Sequence, residues 1–148
     1  MTGGRTLRLI LSAAALYLVL VQPNHPQAMT WGALAALPLE WPVIVLALLA
    51  AGPGRAGAVL RGALVALMVL IAVLKTADFA MFTALARGFN PVADLALVEA
   101  GMRLLTGAIG PVMAGLALAG GCVAVIGLAA LLWWATGAWA AAAPRRPA

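Results

Sequence analysis

Apolar residues in this chain run on too long, and with too few interruptions, for the surface of a water-soluble domain. The first run covers residues 9–21, behind Arg5 and Arg8. The second covers residues 28–51, is interrupted by Pro38, Glu40 and Pro42, and ends at Gly52-Pro53-Gly54-Arg55, where Gly and Pro together read as a turn. The third starts near Ala58, passes through Arg61 to Leu74, and continues helically toward Ala86 before Gly88-Phe89-Asn90-Pro91 breaks it. The fourth covers residues 107–136, with Pro111 near its start and Trp133, Trp134 and Trp139 near its end. A helix needs about 20 residues to cross about 30 Å of hydrocarbon. On that scale the runs predict four crossings, near residues 7–22, 29–51, 57–77 and 107–136.

The stretch between the third and fourth runs has a different pattern. Val92, Leu95, Val98, Met102 and Leu105 recur at helical spacing, whereas Asp94, Glu99 and Arg103 fall largely on other faces. Glu99 and Arg103 form a favourable i, i+4 pair, and Pro91 can open a helix. An amphipathic helix over residues 91–105, lying on the outer membrane surface, is predicted. The expected fold is therefore an all-α integral membrane protein, a single helical domain over residues 1–148, with about four transmembrane helices and one extracytoplasmic surface helix.

Composition agrees with this. Of 148 residues, 66% are hydrophobic and 9% charged, and mean hydropathy is +1.10. A soluble domain is about half apolar and roughly a quarter charged. A soluble globular enzyme and a disordered tail are thereby excluded. The net charge of +5 does not indicate nucleic-acid binding, because the basic residues sit at the edges of apolar runs, where topology determinants lie. With the N-terminus in the cytoplasm, Arg5, Arg8, Arg55, Arg61, Arg145 and Arg146 fall inside, and Lys75, Arg87 and Arg103 fall outside. This distribution follows the positive-inside rule and puts both termini in the cytoplasm. The first run has the basic flank and apolar core of a signal peptide. The residues that follow it lack a clean small-x-small cleavage site, so it reads as an uncleaved anchor.

Few polar residues remain to carry chemistry. Glu40 lies between Pro38 and Pro42. In one continuous helix from Thr30 to Ala51 it falls near mid-membrane, where an ionisable group needs a partner or a role. If Pro38 instead turns the chain after a short surface helix, Glu40 sits at the outer interface. Lys75 and Asp78 are three apart, share a helix face and can pair, either as an interfacial ion pair or as part of a polar site between helices. Arg87 and Asn90 lie in the loop that follows. Glu40, Lys75, Asp78, Arg87 and Asn90 are thus the candidate binding residues. His25, the one histidine, sits in a Pro-flanked loop and reads as a solvated or hydrogen-bonded side chain. Cys122, the one cysteine, reads as a small hydrophobe. No phosphate loop, nucleophile elbow or metal-ligand spacing is present, so neither catalysis nor a cofactor is expected.

Several patches resemble a known family. Gln22-Pro23-Asn24-His25-Pro26, Thr30-Trp31-Gly32-Ala33-Leu34 and Leu37-Pro38-Leu39-Glu40 resemble the start of bacterial sulfatase-like membrane proteins of the alkaline phosphatase superfamily. So do Leu74-Lys75-Thr76-Ala77-Asp78-Phe79 and Arg87-Gly88-Phe89-Asn90-Pro91-Val92-Ala93-Asp94-Leu95. The patches are short but spread over most of residues 7–140. The resemblance implies a bacterial inner-membrane protein: the helical part of a sulfatase-like hydrolase or transferase whose relatives move phosphoglycerol or phosphoethanolamine onto envelope polymers and lipids. In that family the metal ligands and the nucleophile belong to a large extracytoplasmic catalytic domain, and nothing in this chain matches it. The expected role is a non-catalytic membrane anchor, with the bilayer and a separate catalytic domain as partners. Two other roles fit the residues: a small structural subunit packing through Ala and Gly faces, and a small transporter using Glu40, Lys75 and Asp78.

Overall fold

The computed structural model describes residues 3–143. It contains five α-helices: α1 (Gly3–Val21), α2 (Trp31–Ala35), α3 (Glu40–Ala51), α4 (Arg55–Leu85) and α5 (Val98–Ala140), with short 3-10 turns at Pro26–Ala28 and Asp94–Leu97. Among the described residues there is no strand. Four stretches are long and apolar enough to cross a membrane: Gly3–Val21, Trp31–Ala51, Arg55–Leu85 and Asp94–Ala140. The protein is an all-α membrane protein. Its apolar runs take this form because hydrocarbon offers the backbone no hydrogen-bond partner, and a helix satisfies each N–H and C=O internally.

The second stretch is broken. Thr30 caps α2, its hydroxyl accepting from the Ala33 N–H at 3.2 Å. The chain then leaves the helix at Ala36, whose backbone is extended. Pro38 has no N–H with which to continue the ladder. Helix resumes at Glu40, with the Trp41 N–H donating to the Pro38 carbonyl at 3.0 Å. Pro42 falls in the first turn of α3, where no intrahelical donor is required.

At the opposite end, α3 and α4 are joined by a tight turn. Gly52 has φ 65°, and a Cβ on Gly57 would collide with the Gly52 carbonyl oxygen. Both positions therefore need glycine. Ala143 also approaches Gly52, so the end of α5 returns to this end of the bundle.

Beyond Leu85 the structure departs from the sequence pattern. Helix α4 runs on to Leu85 and is closed by Ala86 in the left-handed region, with φ 52°. The expected surface helix does not begin at Pro91. Residues 91–93 form a turn, residues 94–97 a 3-10 turn, and α-helix starts at Val98. From there α5 continues to Ala140 through a bend at Gly110, which has φ 80° and ψ 158°. Thus the amphipathic segment and the fourth crossing are two arms of one bent helix. The bend follows from Gly110-Pro111: proline disfavours helical angles in the residue before it, and glycine tolerates the positive φ that results.

The core takes residues from all four long helices. Leu16 of α1, Ile44 and Leu48 of α3, Val65 and Met68 of α4, and Leu132 and Ala135 of α5 form one cluster. Trp41 and Trp139 close its side, edge to face, with ring centroids 6.5 Å apart. Only the last third of α5 joins this core, and residues 115–127 are exposed on every side.

Candidate functional site

The polar residues of the loop end gather around one carboxylate. Arg87 holds Asp94 through both oxygens, with Nη2 to Oδ1 at 2.6 Å and Nη1 to Oδ2 at 3.0 Å. Asp94 Oδ2 also accepts the Asn90 N–H at 2.7 Å, and the Asp94 N–H donates back to the Asn90 carbonyl at 2.8 Å. Asn90 Oδ1 accepts the N–H groups of Val92 at 3.0 Å and Ala93 at 3.2 Å. These bonds hold residues 90–93 as a turn and explain the delayed start of α5, since an Asn side chain that takes backbone donors competes with helix. Asp78, in the last turns of α4, accepts the Phe89 N–H at 2.7 Å and so ties the loop to the helix.

This clamp has clear electrostatics. Asp94 is 5% exposed, whereas the Arg87 side chain is 44% exposed. The hydrogen bonds from Arg87, then that from the Asn90 N–H, hold the Asp94 carboxyl below its ordinary range. The same pair with Asp94 raises Arg87 above its ordinary value. Because internal donors saturate the Asp94 carboxylate, the arrangement is suited to fixing a loop rather than to binding a substrate there. His25 lies alongside, its ring 5.6 Å from that of Phe82 and its Nδ1 sharing a hydrogen bond with Asn24 Oδ1 at 2.9 Å.

Three of the five candidate residues, Asp78, Arg87 and Asn90, therefore belong to one cluster. Its centre, Asp94, is not among the residues the sequence singles out, because the helical pattern puts it on the polar face of a surface helix. The Asp94-Arg87 spacing of seven residues across Gly88 and Pro91 was the available signal.

Lys75 belongs elsewhere. The pairing expected with Asp78 is absent: Lys75 Nζ donates to the Leu20 carbonyl at 2.8 Å. Leu20 is in the last turn of α1, where carbonyls have no intrahelical donor, and a cation there also complements the helix dipole. Gln22 Nε2 donates to Thr76 Oγ1 at 3.0 Å beside it. Lys75 thus caps α1 and leaves Asp78 to the loop.

Glu40 stands apart from both. It begins α3 and lines an apolar groove of about 410 Å³ between α1, α3 and α4. Among the described residues no hydrogen bond or ion pair reaches its carboxylate.

A further arginine reaches across from α4 to α5. Arg61 of α4 donates from Nη2 to the Trp133 carbonyl at 2.8 Å. A Cβ on Gly137 would come within 2.6 Å of that nitrogen. In sequence Arg61 read only as a topology determinant; a charge inside an apolar run, with the Trp pair elsewhere, was the signal of its contact. Glu99 and Arg103 form the expected i, i+4 pair at 2.6 Å, both highly exposed. Among the described residues no three of His, Cys, Asp and Glu gather as a metal site.

Compared with models of protein families, with curated proteins and with solved structures, the chain gives no match in any of the three.

Proposed function

We propose that this chain is a non-catalytic module of a bacterial inner membrane that holds a separate extracytoplasmic activity against the bilayer, with both termini cytoplasmic. The observation that supports this reading is the Arg87–Asp94 clamp. It fixes a loop whose polar groups are satisfied internally, and it leaves Val92 at 89% and Leu95 at 70% exposed. A rigid loop with outward apolar side chains suits docking better than chemistry. The resemblance of residues 87–95 to sulfatase-like membrane proteins points to a partner of that kind.

The test is purification from native membranes in mild detergent. A stoichiometric partner that is retained by the natural chain and lost from Asp94→Asn is the expected result. Recovery of the chain alone, at its calculated 15.0 kDa, contradicts the reading.

A second reading, a structural subunit of a larger membrane complex, is favoured by α5, whose residues 115–127 face away from the bundle on all sides. Gly120 there has open space around it. Under this reading Gly120→Leu, and not Asp94→Asn, releases the partner.

A further inference from the structure

Glu40 serves neither the loop clamp nor the packing of the core. It lines the groove together with Leu20 of α1, Val43 of α3, and Leu64, Leu67 and Ile71 of α4. Leu67 and Ile71 precede Lys75 by eight and four residues on one helix, so that wall runs from about 6 to 12 Å along α4 from Lys75, while Leu20, whose carbonyl Lys75 caps, marks the groove's near end. Glu40 is exposed along the groove, an ionisable group within an apolar stretch is best met by an opposite charge, and among the described residues no cation reaches its carboxylate. Lys75 is committed to the Leu20 carbonyl, Arg61 to the Trp133 carbonyl, Arg87 to Asp94 and Arg103 to Glu99. Arg5 and Arg8 open α1 and Arg55 opens α4, at the ends of those helices away from the groove.

We propose that this groove binds a lipophilic organic cation: one positive charge against Glu40 and an apolar body against the Leu, Val and Ile walls. Two features select this class over a phospholipid. The residues lining the groove offer no side-chain donor for a phosphate, and their one charged group is a carboxylate that repels one. The break in the second membrane stretch is what creates the site. Helix α3 starts at Glu40, so its first turn, where the helix dipole favours a negative side chain, opens onto the groove. This site is independent of the anchoring role proposed above.

The test is equilibrium binding of tritiated tetraphenylphosphonium to the full purified chain in detergent. Saturable binding at one cation per chain is expected. Glu40→Gln lowers affinity at least tenfold, Glu40→Asp retains most of it, and Leu67→Trp, which fills the groove while keeping the carboxylate, also lowers it at least tenfold. Circular dichroism and gel filtration confirm that each variant is folded. Tetraphenylborate, of the same shape and opposite charge, shows no saturable binding. The proposal is overturned if the natural chain binds no tetraphenylphosphonium saturably, if folded Glu40→Gln binds it equally well, or if tetraphenylborate binds with the same affinity. A phospholipid that co-purifies with the natural chain and is lost from Glu40→Gln overturns the choice of ligand.

Discussion

The guanidinium carbon of Arg61 lies 4.1 Å from the centroid of the Trp133 ring, and the same side chain donates to the carbonyl of that residue. One arginine thus places its charge on a single residue of a neighbouring helix, through the ring face and the backbone together, while its Nε stays buried without a hydrogen-bond partner. Gly137 leaves the space for it. A charge-assisted hydrogen bond is worth about 1.5–3 kcal/mol, and a cation–π contact about 0.5–2 kcal/mol. Arg61→Met should therefore lower the unfolding midpoint in detergent by several degrees. Gly137→Ala, which displaces the guanidinium without removing it, should show a smaller loss. Arg61→Lys should not fully restore stability, because an ammonium lacks the planar fork. Equal midpoints for all four chains would show that the contact contributes nothing.

Lys75 and Asp78 act separately. Lys75→Met leaves the Leu20 carbonyl without its donor, at a cost of about 1–3 kcal/mol. Asp78→Asn loosens the loop at Phe89 instead. A double-mutant cycle should give a coupling within about 0.5 kcal/mol of zero, as for sites that share no partner. A coupling well above that would restore the direct ion pair that their spacing suggests.

The clamp at Asp94 predicts a specific pH response. Its carboxyl is held below the ordinary value in the folded chain, so the unfolded loop binds a proton first as pH falls. The contribution to stability is fully present above the unfolded value of about 3.9 and is lost as pH falls through the lower folded value. Arg87 is raised, and its contribution is present throughout the acid and neutral range. Hydrogen exchange at the amides of Asn90 and Asp94 should show protection, corrected for intrinsic rate, that is flat from about pH 8 to pH 5 and falls only in stronger acid. Asp94→Asn should abolish that protection at every pH and leave α4 protected. A loss of protection near neutral pH would place the clamp's control elsewhere.

The bend in α5 depends on one residue. Gly110 sits at φ 80° with open space around its Cα, so a side chain there meets no neighbour and still strains the backbone. Gly110→Ala should cost about 1–2 kcal/mol and shift the angle between the two arms. Spin labels at Leu104 and Leu118 would report that shift as a changed distance distribution. An unchanged distribution would mean that the bend is set by Pro111 alone.

Much of this architecture is legible in the sequence. The four long apolar stretches emerge from run length, because hydrocarbon thickness sets a simple ruler and the charged residues mark its ends. The turn at Gly52-Pro53-Gly54 is legible for the same reason, since two glycines and a proline leave a helix no continuation. The break at Pro38 is visible as one of two alternatives, and the structure takes it. What the pattern does not reveal is where side chains reach. Lys75 is three residues from Asp78 and yet spends its charge on a carbonyl from α1, a tertiary choice that no spacing rule contains. Asp94 falls on a helical face by period, but Asn90 consumes the backbone donors a helix would need, and the segment turns instead. Arg61 and Gly137 meet only because α4 and α5 cross there.

The proposed topology puts the clamped loop on the outer side of the membrane and the Gly52–Gly54 turn on the inner side. Cysteine labelling tests it most directly. In a Cys122→Ala background, single cysteines at Val92 and Gly54 would be exposed to a membrane-impermeant maleimide in intact spheroplasts. The account predicts labelling of Val92→Cys in intact spheroplasts and of Gly54→Cys only after permeabilisation. The reverse pattern, or labelling of both in intact spheroplasts, would contradict it.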